Sequence, residues 1–159
     1  MASLKTEALR LLRMAYELQM TGHLEQAVAY YKRSLEVEPT AEAYTFLGWT
    51  YGMLGKLDEA IAECHRAIAR DPNYGNPYND IGVYLMQQGK LEEAITWLKK
   101  AMQALRYDNP EFPHVNMATI YEMKGLWPLA LEAYERALSL RPGYKTAKEA
   151  IRRLRANLN

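Results

Sequence analysis

The sequence predicts an all-α protein, an α-solenoid of four helix pairs followed by one capping helix. The main observation is a glycine-centred segment that recurs four times along the 159 residues and reads Gly22-His23-Leu24-Glu25-Gln26-Ala27 in its first copy. The four glycines are spaced by 33, 34 and 36 residues, and prolines echo this period at Pro39, Pro72 and Pro142. Repetition at such a period is typical of solenoids made of two-helix units.

The first helix of each unit is predicted by apolar or small residues at helical spacing. In the second unit, Tyr44, Leu47, Gly48 and Tyr51 fall at i, i+3, i+4 and i+7, which places them on one helix face. The other units carry related sets: Leu11, Met14, Ala15 and Leu18; Tyr78, Ile81, Gly82 and Leu85; His114, Met117, Ala118 and Tyr121. Each unit therefore opens with an amphipathic helix.

The second helix of each unit follows the glycine turn. Its apolar residues again have helical spacing, as in Ala60, Ile61, Cys64, Ala67 and Ile68. The turn glycines stand where a helix end needs a left-handed residue. Asn76-Pro77 and Asn109-Pro110 both predict a helix N-cap followed by a proline in the first turn.

The pattern Tyr44-x-x-Leu47-Gly48-x-x-Tyr51, followed by Ala60, Cys64, Ala67 and Pro72, resembles the tetratricopeptide repeat. The resemblance implies antiparallel helix pairs in a right-handed superhelix with a concave ligand face. It places the units at 8–40, 41–74, 75–110 and 111–144. The helices should approach most closely at small residues: Ala15, Gly48, Gly82, Ala118, Ala27, Ala60, Ala94 and Ala130. Arg106 in place of a proline, with extra residues near Asp108, predicts an irregular joint between units three and four.

Residues 1–159 are expected to form one domain. The two ends of the chain each lead to a further prediction. Residues 145–158 are predicted to form a capping helix with Ala147, Ile151, Leu154 and Leu158 on its buried face, because a solenoid needs a polar-backed end. The N-terminal helix has a surplus of apolar residues, in stripes led by Leu4 and Leu9. This surplus predicts a homodimer contact, or a surface covered by a partner.

Composition argues against several function classes. A net charge of +1, from 20 basic and 19 acidic residues, gives no support to nucleic-acid binding. The sequence has no run of 18 apolar residues and no signal peptide, and its only cysteine is Cys64, so we expect a cytoplasmic protein without a membrane span. His23, His65, His114 and Cys64 lack metal-ligand spacing, and the glycines occur singly. We therefore expect neither an enzyme nor a bound metal or cofactor.

The candidate site is the concave groove that the resemblance implies, lined by first-helix residues beside the core stripe. Aromatic and methionine side chains at such positions are typical of binding hot spots, although some, Phe46 above all, could instead pack inward. The predicted groove residues are Leu12, Arg13, Tyr16, Met20, Thr45, Phe46, Trp49, Met53, Asn79, Asp80, Val83, Met86, Phe112, Val115, Asn116, Thr119 and Met123.

These residues predict a protein-interaction adaptor that binds a peptide or helix of a partner protein. Two alternatives stay open. In one, the chain is a co-chaperone for acidic chaperone tails, which the family holds with a clamp of lysine, arginine and asparagine. Arg13, Asn79 and Asn116 are available for such a clamp, but aromatic residues occupy neighbouring positions and the clamp is not reproduced. In the other, the chain is a self-assembling structural module.

Overall fold

The computed structural model describes residues 3–158, most of which are helical. Within that range the only extended pairing is an isolated bridge between Tyr74 and Arg106. The expected all-α fold is confirmed. The helices are α1 (Leu4–Met20), α2 (Leu24–Val37), α3 (Ala41–Met53), α4 (Leu57–Arg70), α5 (Asn76–Gln87), α6 (Leu91–Met102), α7 (Phe112–Met123), α8 (Trp127–Leu140) and α9 (Lys145–Leu158).

The helices pack as consecutive pairs that stack along one direction. The dominant contacts join α1 to α2, α3 to α4, α5 to α6 and α7 to α8, and each pair also contacts the next. In addition, α1 contacts α3, α3 contacts α5, and α5 contacts α7. The first helices of the pairs therefore lie side by side and form the inner face of the stack.

The two helices of each pair meet at small residues, as expected. The alanines at 15, 27, 60, 94, 118 and 130 are all fully buried. Gly48 lies so close to α4 that an added Cβ would be 3.0 Å from the Ala60 carbonyl oxygen. At Gly82 the added atom would lie 2.6 Å from Cδ2 of Leu98, so a larger side chain would push α5 and α6 apart.

The turn inside each pair uses a left-handed glycine. Gly22, Gly55, Gly89 and Gly125 have φ between 73° and 84°, a region that other residues adopt at a cost. The next residue closes the turn: the His23 N–H donates to the Leu18 carbonyl at 2.8 Å, and the other three turns repeat this bond. These bonds satisfy the carbonyls at the end of the first helix and reverse the chain.

The predicted N-caps at Asn76 and Asn109 are wrong. Asn76 is the first residue of α5, which Gly75 caps, and α7 begins only at Phe112. The reason is a long-range pairing, because the Gly75 N–H donates to the Arg106 carbonyl and the Arg106 N–H to the Asn73 carbonyl, each at 2.9 Å. This pairing draws the α6–α7 connection onto the start of α5 and makes the joint irregular.

Helix α9 packs on α8 as α3 packs on α2, so it covers the end of the stack. Ala147, Ile151 and Leu154 are buried, whereas Leu158, which was expected on the same face, is exposed. Leu158 instead lines an open cavity of about 360 Å³ with Trp127 at the start of α8. Arg153 also donates two 2.9 Å hydrogen bonds to the Glu122 carboxylate at the end of α7.

We predict that deletion of residues 145–159 lowers the free energy of unfolding by about 3 kcal/mol or more, because two large apolar side chains of α9 lose their burial. Urea titration of the full and shortened chains measures the difference. Hydrogen exchange should show that α1–α4 stay better protected than α7 and α8. An unchanged unfolding midpoint would contradict the packing role of α9.

The apolar surplus at the N-terminus stays a prediction of self-association. Leu4 is 72% exposed and Leu9 is also exposed, while Ala8 and Leu11 on the same helix are buried. A dimer through α1 would cover these leucines, and Leu4→Glu with Leu9→Glu should then abolish it. Sedimentation at low and high micromolar concentration measures the mass. A monomer at both concentrations contradicts the dimer.

Candidate binding groove

The inner face carries exposed apolar side chains on its first two helices. Tyr16 and Met20 on α1 and Trp49 and Met53 on α3 are each between 41% and 47% exposed. We call these four residues, with Phe46 beneath them, the apolar patch. An exposed group of this kind is unusual for a surface that only faces water.

Phe46 holds the apolar patch together and is itself partly buried against the core. Its ring stacks on Tyr31 of α2 with centroids 6.0 Å apart and planes almost parallel. Tyr16 meets the same ring edge-on at 5.6 Å, and Trp49 lies 6.3 Å away. Phe46 thus supports the two exposed rings, a geometry that aromatic pairs favour.

Gln19 was not predicted, yet it ties the apolar patch to the core. It is buried on α1, where its side-chain carbonyl accepts a 2.6 Å hydrogen bond from the Tyr31 hydroxyl. Its amide nitrogen donates to the Met53 sulfur at 3.4 Å. The sequence pattern gives little indication of this linking role, because a glutamine one turn after Tyr16 is an ordinary surface residue in a helix.

The inner face of α5 and α7 carries three neighbouring polar side chains among apolar ones. We call Asn79, Asp80 and Asn116 the polar floor of the groove. The Asn116 amide donates to the Asn79 side-chain oxygen at 2.9 Å and links the two helices. Asp80 is half-buried beside Asn79, and within residues 3–158 no lysine or arginine pairs with it.

Two predicted groove residues are corrected by their burial. Thr45 is buried, and its hydroxyl is satisfied by a 2.7 Å hydrogen bond that it donates to the Ala41 carbonyl within α3. Asn79 is buried under its bond with Asn116. Neither side chain is open to a partner, so both support the groove from below.

The remaining predicted residues are spread over the inner face. Arg13 and Met123 are exposed, whereas Leu12 and Met86 are partly buried against the core. Phe112 lies toward the cap, with its ring 6.3 Å from that of Tyr144. The others are half-buried on α5 and α7: Val83, Val115 and Thr119.

Asp80 has unusual electrostatics for a surface helix. Burial raises the pKa of its carboxyl to about 7, and the neighbouring Asn79 side chain opposes the shift in part. Burial together with the charges of Glu42 and Asp80 raises the pKa of Tyr74 to about 12. The same carboxylate contributes to the raised pKa values of Tyr84 and Tyr107, after their burial. Asp80 therefore lies within electrostatic range of three tyrosine hydroxyls.

Metal binding, membrane insertion and thiol chemistry have little support in the described part of the chain. Among residues 3–158 there is no group of three histidine, cysteine, aspartate or glutamate side chains that could hold a metal ion. None of the helices described is long and apolar enough to cross a membrane. Cys64 is fully buried, and burial raises the pKa of its thiol, so it is a packing residue rather than a nucleophile.

The raised pKa of Asp80 predicts how stability depends on pH. Between its ordinary value near 4 and about 7, the unfolded chain ionises Asp80 while the folded chain keeps it protonated. The stability that the folded state gains from protonated Asp80 is therefore full at low pH and is lost as the pH rises through 7. Going from pH 5 to pH 8, wild type should lose about 2 kcal/mol relative to Asp80→Asn.

Urea titrations of both chains at the two pH values give this difference. The pKa of His114 is lowered by burial and has the opposite effect on stability, but it is common to both chains and cancels. Identical pH profiles for the two chains would show that Asp80 ionises as it does in water.

Family models place the chain among known proteins. Three models described as tetratricopeptide repeat match residues 10–40, 41–74 and 73–143, so together they cover most of the chain. YpiA of Bacillus subtilis, a TPR repeat-containing protein, is 26% identical over 140 residues, which are 87% of this chain and 32% of the relative. The chain spans between 9% and 32% of the length of the curated relatives that it matches.

Solved structures share the fold at low identity. PilF of Pseudomonas aeruginosa is 23% identical, with a TM-score of 0.84 over 94% of this chain and 68% of that one. The first TPR of Spaghetti (RPAP3), bound to the HSP90 peptide SRMEEVD, is 21% identical, with a TM-score of 0.67 over 75% of this chain and 95% of that one. These structures share the helix-pair fold with this chain, and the three model matches show that it belongs to the tetratricopeptide repeat family.

Proposed function

We propose that this protein is an interaction module that binds an apolar peptide or helix of a partner protein in the groove. The observation that carries this proposal is the apolar patch, in which four exposed side chains lie on the partly buried Phe46 ring. Large aromatic and methionine side chains at a concave surface are frequent anchors of protein interfaces. The location of the protein in the cytoplasm stays an expectation. It agrees with the single cysteine, Cys64, which is buried and free.

The support for the apolar patch makes it suited to binding. The Phe46 ring and the Gln19 amide limit the motion of Tyr16, Trp49 and Met53 before a partner arrives. Side chains that are already ordered lose less conformational entropy on binding. Because Met53 and Met20 are unbranched, the edge of the patch can still adapt to the shape of the partner.

The chaperone-tail alternative has less support from the groove. The peptide bound by Spaghetti (RPAP3) ends in acidic residues. In this chain an acidic tail would approach Asp80 on the polar floor, and the ionised form of Asp80 would repel it. Arg13 is the predicted basic residue of the groove, and it lies on α1, away from α5. The proposal therefore favours an apolar partner over an acidic one.

Trp49→Ala tests the proposal, using peptides selected from a random display library on the wild-type protein. The change should weaken binding of a selected peptide about 30-fold or more, or about 2 kcal/mol, because it removes a central anchor. Stability should change little, since the ring is exposed. Isothermal titration and thermal melting measure the two effects.

Trp127→Ala is the matched control. Trp127 is 44% exposed, close to the 41% of Trp49, but it lies at the start of α8. Trp127→Ala should leave both the affinity for the selected peptide and the melting temperature near the wild-type values. If Trp49→Ala binds as well as Trp127→Ala, the groove is not the site. If Trp49→Ala lowers the free energy of unfolding by about 3–5 kcal/mol, Trp49 is a core residue instead.

A further inference from the structure

We infer that a crevice between α6, α7 and α8 binds an acidic segment of a partner protein, which inserts one apolar side chain and places a carboxylate at the rim. The inference goes beyond the groove and does not rest on the proposed function. The crevice has a volume of about 270 Å³. Its apolar walls are formed by Met102, Met117, Tyr121 and Leu129.

The walls of the crevice are apolar at a place where the other units are polar. Leu129 lies in the first turn of α8 and is 44% exposed. The second and third units carry Glu59 and Glu93 at the corresponding position. Beneath Leu129, Met117 is buried and Met102 is half-buried. The crevice therefore offers an apolar side chain a surface that the other units do not provide.

Two small side chains in the fourth unit leave space for this crevice. In the third unit the rings of Tyr78 and Trp97 lie against each other, with centroids 6.1 Å apart. The corresponding positions of the fourth unit, 36 residues later, hold His114 and Ala133. The cavity beside Trp97 thus has a large ring as one wall, whereas the crevice has only the Ala133 methyl group at that point.

Two cations at the rim of the crevice lack partners. Lys99 and Arg136 line the crevice and are exposed, and among residues 3–158 neither of them pairs with a carboxylate. The counterpart of Arg136 in the third unit is Lys100, whose ammonium lies 4.1 Å from the centroid of the Trp97 ring. Ala133 gives Arg136 no ring to lie over. Both rim cations are therefore available to a ligand.

The other titratable groups leave the crevice positively charged. Glu132 lines it as a single carboxylate beside the two cations, and His114 lines it from α7. Burial and then the charge of Arg136 lower the pKa of His114, so its imidazole is neutral at pH 7. A carboxylate of a partner complements this rim and accepts charge-assisted hydrogen bonds from it.

The size of the crevice favours one side chain of a larger partner over a free small molecule. Pockets that enclose a small-molecule ligand have volumes of about 300–1,000 Å³. The crevice is smaller and is open along the surface of three helices. A protein segment makes further contacts outside it, and its acidic residue beside the inserted side chain reaches the rim cations.

Peptide selection on a chain with a weakened groove tests the inference. Random twelve-residue peptides are selected by display on Trp49→Ala, which should enrich peptides with an aspartate or glutamate beside a large apolar residue. The same chain with Lys99→Gln and Arg136→Gln should lose this enrichment. Trp49→Ala with Lys148→Gln and Arg152→Gln is the matched control, because it removes two exposed charges from α9, and it should keep the enrichment.

Titration of one selected acidic peptide measures each part of the crevice. Lys99→Gln or Arg136→Gln alone should weaken binding about fivefold, as loss of one exposed ion pair does at most. Ala133→Trp places the ring of the third unit in the crevice and should abolish binding. Thermal melting checks that Ala133→Trp is folded, and the two charge variants test the inference even if it is not.

Methionine methyl NMR locates the bound acidic peptide. The signals of Met102 and Met117 should shift, and those of Met20 and Met53 should not, whereas an apolar peptide in the groove gives the reverse pattern. The inference is overturned if Trp49→Ala enriches no acidic peptides, if the α9 control loses the enrichment, or if only Met20 and Met53 shift. The affinity of Trp49→Ala for peptides selected on wild type tests the groove separately.

Discussion

The close approach of the two helices in each pair is the constraint on which the rest of the structure depends. Fully buried alanines and the glycines at 48 and 82 allow this approach, and Gly82 has no space for even one more carbon. Tight pairs bring the first helices side by side, so residues next to their core stripe must face the groove. The position of the groove thus follows from the small side chains on the opposite face of the first helices, where these pack against the second helices.

The groove carries the apolar patch on α1 and α3 and the polar floor on α5 and α7, and contacts from outside the groove support the apolar patch. The Tyr31 ring and hydroxyl, which come from α2, support the Phe46 ring and the Gln19 amide under the apolar patch. At the start of α5, the pairing of Arg106 with Asn73 and Gly75 brings the Tyr107 ring onto Gly75. A partner would meet a surface that is largely formed before it binds, which lowers the entropic cost of association.

Sequence reasoning predicted the features that local chemistry determines. Helical spacing, small contact residues and left-handed glycines at turns such as Gly22 are properties of single segments, and the structure agrees with them. The N-caps at Asn76 and Asn109 failed because a contact between distant segments moved both helix starts. The burial of Thr45 and Asn79 and the role of Gln19 depend on neighbouring helices, which the pattern of one helix does not contain.

The central claim is that the groove, and not the outer surface, binds the partner, and methionine methyl NMR tests it most directly. Met20, Met53 and Met123 are exposed residues of the predicted groove, whereas Met14 lines a cavity of about 370 Å³ between α1 and α2, and Met102 lines one of about 270 Å³ between α6, α7 and α8. With a selected peptide added, the methyl signals of Met20 and Met53 should shift strongly, and those of Met14 and Met102 should not. Shifts confined to Met14 and Met102 would place the binding site at these two cavities, away from the groove residues, and contradict the account.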